Sequence, residues 1–157
     1  METIKQLNVT DLPREIEDVA REVIGGAIEV HRELGPGLIE RVYEEALAHE
    51  LRSRSLDVRT QVEISVPYKG IVIGGQRLDM VVNDAVVVEL KAVSQVTNLF
   101  KAQLLSYLRA ANHPLGLLIN FNTTLLKQGL HRILNERALT SPQSSRSSRP
   151  SRSNPSP

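Results

Sequence analysis

A chain of 157 residues, of which 41% are hydrophobic, has room for one ordinary domain with a real core and too little for two. It contains no cysteine, so disulfide frameworks and thiolate metal sites are excluded; the N-terminal METIKQLNVTDLPREIEDVA lacks signal- and transit-peptide patterns, no apolar run approaches membrane length, and a soluble, cytoplasmic protein is predicted. The net charge of +1 is uneven, because residues 141–157 carry three arginines and no acid; subtracting them leaves a body at −2, which is not the footprint of a protein that grips nucleic acid by charge alone.

From Leu12 to Leu34 apolar residues recur at helical spacing (Ile16, Val19, Ala20, Val23, Ala27, Val30, Leu34), which predicts a long amphipathic helix strained at Gly25-Gly26. Gly35-Pro36-Gly37 breaks the chain, and Leu38–Arg54 resumes the helical period with Tyr43, Leu47 and Leu51 on one stripe. The period then becomes two: Val62, Ile64, Val66 and Tyr68 alternate with polar neighbours before a Lys69-Gly70 turn, a short return through Ile71 and Ile73, and a further turn at Gly74-Gly75. Arg77–Val82 and Val86–Lys91, separated by Asn83-Asp84-Ala85, are apolar enough for strands covered on both faces. A helix over about Asn98–Ala111 and a buried strand over Leu115–Asn120 follow, an order that implies a right-handed crossover and a parallel pair. Leu125–Leu139 fits either an edge strand or a helix. The predicted order is thus α, α, β, β, β, β, α, β, a mixed sheet flanked by helices. The Ser/Pro/Arg-rich tail, 141–157, has no apolar anchor and is predicted to be disordered; an inert terminus is favoured over a nonspecific phosphate-binding arm.

The informative residues are charges placed among valines, Asp79 in RLDMVV and Glu89 in VVVELKAV. A three-residue hairpin loop at Asn83-Asp84-Ala85 pairs Val82 with Val86, Met80 with Val88 and Asp79 with Glu89, which sets the two carboxylates opposite each other on one face. A two-residue loop instead puts Asp79 opposite Val88 and turns Glu89 away. Two half-buried carboxylates held close cannot both stay ionised unless one takes a proton or a cation lies between them. Lys91, two residues beyond Glu89, shares its face. Oxygen donors without His or Cys suit Mg2+ or Mn2+ rather than zinc.

Asp79, then Glu89, then Lys91 resembles the D…E-x-K signature of the PD-(D/E)XK nuclease superfamily, with Leu78 where the family name has proline. Gly37-Leu-Ile-Glu40-Arg-Val-Tyr43 looks like the G-x-x-E-x-x-Y motif of one subgroup, and Gln103-Leu-Leu-Ser-Tyr107 resembles the Q-x-x-x-Y motif of the exonuclease-like branch. Each is weak alone, and their conjunction in order is strong. The resemblance spans about Val19–Leu134. It implies an α/β fold with a restriction-endonuclease-like core, a mixed central β-sheet flanked by α-helices (αβββαβ), over residues 1–140. It also implies a metal site with Asp79 and Glu89 as ligands, the Leu90 carbonyl and Glu40 as further candidates, and Lys91 acting on the attacking water and the scissile phosphate. Gln103 and Tyr107, four apart on one helical face, would hold Lys91 or that phosphate.

Plainer readings exist for each residue. Glu40 in a first helical turn is favoured by the helix dipole alone, Tyr43 and Tyr107 can be core aromatics, Gln103 can be a surface amide, and Asp79 with Lys91 can be a structural ion pair with Glu89 pointing away. His31, His49, His113 and His131 stand at no ligand spacing and read as surface or capping residues. The leading expectation is a metal-dependent nuclease acting on DNA, with RNA second, alone or as a homodimer or with a larger nucleic-acid-processing partner. The alternative is a noncatalytic nucleic-acid- or protein-binding module that keeps the fold.

Overall fold

A computed structural model of the protein describes residues 12–140. The predicted disordered tail, 141–157, and the first eleven residues of the predicted domain lie outside the described residues.

The first amphipathic stretch forms helix α1 (Arg14–Leu34), burying Ala20, Val23, Gly26, Ala27 and Val30 along one stripe. The helix runs unbroken through Gly25-Gly26, where strain was predicted. A Cβ on Gly26 would lie 2.6 Å from Leu51 Cδ2, so the glycine lets α1 approach the next helix closely. Gly35 and Gly37, at φ +66° and +103°, turn the chain into α2 (Glu40–Ser53). This second helix buries Tyr43, Leu47, Ala48 and Leu51.

β1 (Val58–Tyr68) and β2 (Ile71–Val82) form a long antiparallel hairpin around Lys69-Gly70, the predicted turn. The second turn predicted at Gly74-Gly75 is absent, and the return and Arg77–Val82 are one strand. Pairing passes from Ile64↔Gln76 to Val66↔Ile73, so β2 carries one extra residue there and Gly75 takes φ +99°. Two adjacent glycines made a bulge rather than a reversal.

β3 (Val86–Lys91) pairs antiparallel with β2. Helix α3 (Asn98–Ala111), capped by the Thr97 side chain, leads to β4 (Leu115–Asn120), which pairs parallel with β3 as the strand-helix-strand order predicts. Leu125–Leu139, open between strand and helix, holds both. A 3-10 turn (Leu126–Gly129) precedes β5 (Leu130–Leu134), antiparallel to β4, and a short α4 (Glu136–Thr140). The spatial order is β1-β2-β3-β4-β5.

Two apolar cores flank this mixed sheet. One joins α1 and α2 to Val58, Met80, Val82, Val88 and Leu90. The other joins α3, through Leu104 and Leu108, to Ile64, Leu78, Val81, Val87 and Leu118. The α/β architecture is the restriction-endonuclease-like one expected. No helix among the described residues is long and apolar enough to cross a membrane.

Candidate active site

The register of the β2–β3 hairpin decides the site, and its loop decides the register. Asn83 and Asp84 both sit at positive φ, +51° and +50°, and the Ala85 amide donates to the Val82 carbonyl at 3.0 Å. Asn83 also binds the start of β1 twice: its amide donates to the Asp57 carbonyl and its Oδ1 accepts from the Asp57 amide, both at 2.8 Å. An Asn tolerates this left-handed conformation better than most residues, so sequence and geometry agree. Val82↔Val86, Val81↔Val87 and Met80↔Val88 follow, the pattern of the three-residue loop.

Beyond Met80 the character of the pairing changes. The Asp79 amide donates to Glu89 Oε1 at 3.1 Å, and the Leu90 amide donates to Asp79 Oδ2 at 2.9 Å, so each carboxylate replaces a backbone carbonyl as acceptor. Glu89 is only 6% exposed. Burial first, then the Asp79 charge and a carboxyl–carboxyl hydrogen bond, raise its carboxyl, the Asp79 amide and the Lys91 ammonium oppose them, and the net result is a carboxyl pushed up to about 8. At neutral pH the Glu89 carboxyl therefore holds its proton. That proton occupies the electrostatic role a cation would take.

Lys91 follows on β3, its ammonium 4.7 Å from the centroid of the Phe100 ring on α3. A cation–π contact of this kind steadies the charge without neutralising it. Downstream, buried Asn120 fixes the chain as it leaves β3. Its Oδ1 accepts from the Val93 amide at 3.1 Å, its Nδ2 donates to the Val93 carbonyl at 2.9 Å, and the Phe121 amide donates to the Lys91 carbonyl at 2.9 Å.

Glu40 opens α2. A carboxylate favoured only by a helix dipole would titrate below its usual range. Glu40 is instead shifted up, by burial first and then by the Asp79 charge, with Lys91 opposing and Glu44 adding to the shift. It stands within electrostatic reach of Asp79 and Lys91. Tyr43 holds the loop before it: the hydroxyl donates to the Gly35 carbonyl at 2.6 Å and accepts from the Leu38 amide at 3.1 Å, and the ring stacks on Phe121 at 4.5 Å. The G-x-x-E-x-x-Y spacing thus has a local mechanical meaning. Gly37 supplies the turn, Tyr43 staples it, and Glu40 is delivered at the helix start.

Gln103 and Tyr107 do meet on α3, where Gln103 Nε2 donates to the Tyr107 hydroxyl at 2.8 Å. That hydroxyl donates in turn to Gln76 Oε1 of β2 at 2.8 Å, so the hydrogen bonds of this pair run to Gln76 and not to Lys91. Of the histidines, only His49 is exposed; His31 Nε2 lies 2.8 Å from the Thr123 carbonyl, and burial lowers the pKa of His113 and His131.

The sequence reading missed Asn120, Phe100 and Gln76. An Asn ending the otherwise apolar LGLLIN was the available signal for the first; nothing local marks the other two. Among the described residues no three His, Cys, Asp or Glu side chains converge as a ready metal cage. The donors at hand are the Asp79–Glu89 pair. Oxygen donors alone, and a proton that a cation could displace, fit a hard divalent ion.

The family model of the PD-(D/E)XK nuclease superfamily matches residues 17–133, which spans every element from α1 into β5. No curated protein and no solved structure matches the chain.

Proposed function

This chain belongs to the PD-(D/E)XK nuclease superfamily, and on that premise we propose that it is a Mg2+- or Mn2+-dependent nuclease of the G-x-x-E-x-x-Y subgroup, with DNA its first substrate and RNA its second. The observation that carries this reading is the pairing of half-buried Asp79 with buried Glu89 in the seam between β2 and β3, where each carboxylate accepts from a backbone amide, followed on β3 by Lys91. Asp79 and Glu89 would hold the cation, with the Leu90 carbonyl and Glu40 completing the protein's share of oxygens. When bound, the ion supplies Lewis-acid charge at the scissile phosphate and acidifies a water beside it.

The chain's own groups do the rest. Glu89 gives up its proton as the site fills, which makes occupancy rise with pH. Lys91, steadied over Phe100, orients the attacking water and offsets negative charge gathering on the phosphate oxygens. Gln103 and Tyr107 would hold the substrate phosphate. The whole of 1–140 acts as one cytoplasmic domain. On duplex DNA so small a unit works as a homodimer or within a larger nucleic-acid-processing assembly.

The test is cleavage of single- and double-stranded DNA and RNA with Mg2+ or Mn2+, repeated with Asp79→Ala and Lys91→Ala. Cleavage that disappears in both variants supports the proposal. Cleavage that persists unchanged in both belongs to a contaminant, and nucleic-acid binding without any cleavage identifies a noncatalytic module.

A further inference from the structure

In β1, directly across from Asp79, Gln61 takes φ +52° in the middle of a strand. Glutamine gains nothing from this left-handed conformation, and an interior strand position normally excludes it. The pairs on either side are regular, Thr60↔Met80 and Val62↔Leu78, and only the Gln61–Asp79 step between them is missing from the ladder.

The same step reverses the pleat of both strands. Residues two or four apart on a regular strand face the same side. Val58 nevertheless lies in the α1/α2 core while Val62 and Ile64 belong to the α3 core. On β2, Met80 and Val82 lie in the first core and Leu78 in the second. Two neighbouring strands thus change sides at one pair of residues. Asp79, at the crossing, is released from the alternation and turns its carboxylate along the sheet to the Leu90 amide. The Gln61 side chain leaves in the other direction, and its Nε2 donates to Glu44 Oε1 at 2.8 Å. Glu44 lies one turn after Glu40 on the same face of α2.

We propose that Gln61 is a positioning residue of the candidate active site: its left-handed backbone opens the β1–β2 ladder so that Asp79 can enter the β2–β3 seam. The inference rests on the nuclease reading for its functional meaning, and on the backbone alone for its mechanism. A residue that prefers extended backbone at position 61 would restore the missing pair and draw Asp79 back into alternation. One that accepts positive φ would leave Asp79 in place.

The experiment compares Gln61→Val, Gln61→Gly and Gln61→Asn by amide hydrogen exchange in metal-free protein and by Mn2+ titration. In Gln61→Val the Leu90 amide, having lost Asp79 Oδ2, should exchange at least about tenfold faster while Val88 and Leu118 keep their protection. Its Mn2+ affinity should fall about tenfold or more, the usual scale for losing an outer partner of a metal ligand. Gln61→Gly and Gln61→Asn, which tolerate positive φ, should retain Leu90 protection and bind Mn2+ within about threefold of the parent. If Gln61→Val does not fold, Gln61→Ala replaces it with the same expected direction. Unaltered Leu90 protection in the Val or Ala variant overturns the proposal, and so does equal loss in the Gly variant. Should the parent protein bind no Mn2+ at all, the nuclease reading fails, and the Leu90 amide still judges the role of Gln61.

Discussion

Two stretches of one hairpin, a single residue apart, are joined by different chemistry. From Val82 to Met80, β2 meets β3 through a regular ladder, and its side chains alternate between two apolar cores. At Asp79 and Glu89 the ladder gives way to carboxylates that accept from backbone amides. The first arrangement is self-sufficient, since every polar group has a neutral partner and the side chains are buried valines and methionine. The second concentrates like charge where water is scarce and holds together only by retaining a proton or acquiring a cation. The regular half therefore sets the position of the irregular half, where the charge is concentrated.

The sharpest way to break this contrast is to alter the charges of the irregular half. Lys91→Ala should lower kcat by about 10^2 to 10^3, the scale of losing one preorganised electrostatic contact. The Mn2+ dissociation constant should stay close to the parent's, and single-turnover cleavage beside a Mn2+ titration reads both. A proportionate loss of Mn2+ binding would move Lys91 from catalysis to site assembly.

Stability against pH separates the halves next. Because the folded state holds the Glu89 proton up to about pH 8 while an unfolded chain releases it near the ordinary carboxylate value, the native state binds more protons across that window. Its stabilisation is complete below about pH 4.5 and is lost as pH rises through about 8. In EDTA, Tm should fall over this range. Glu89→Gln should flatten the slope and raise Tm at pH 8.5 by several degrees, and Mn2+ should raise the Tm of the parent protein but not that of the variant. A parent profile already flat in EDTA would contradict the proton retained on Glu89.

Smaller effects come from the parts that hold the site without touching its charges. Tyr43→Phe keeps the stack on Phe121 and loses the bonds to Gly35 and Leu38. It should cost about 1–2 kcal/mol in urea unfolding, with a modest decline in activity as Glu40 loses its fixed approach. Asn83→Ala removes the Oδ1 contact to Asp57 and disfavours the positive φ of the hairpin loop. A similar loss is expected, with the regular Val82–Val86 end of the ladder reporting it first in hydrogen exchange.

Much of this contrast was readable before any coordinates. The valine-rich strands, the three-residue loop and the Asp79–Glu89–Lys91 spacing follow from periodicity and from the few backbone conformations that a hairpin loop allows. The bulge at Gly74-Gly75 was misread as a turn because paired glycines permit both, and only pairing with β1 decides between them. Gln61 was invisible for a different reason. Its backbone conformation is imposed by two cores drawing one strand to opposite sides, a tertiary effect that leaves no mark in TQVEIS. Phe100 and Gln76 likewise gain their roles only when α3 docks on the sheet. Asn120 was within reach, since a polar residue closing a buried strand needs partners that the local chain must supply.

Calorimetric titration of Mn2+ into the intact protein at pH 7, in two buffers of different ionisation enthalpy, tests the carboxylate pair most directly. Binding should release close to one proton per ion, as expected of a carboxyl held near pH 8, and Glu89→Gln should abolish both the binding and the release. Binding without proton release, or binding undiminished in Glu89→Gln, would place the ion elsewhere and leave Asp79 and Glu89 as a structural pair.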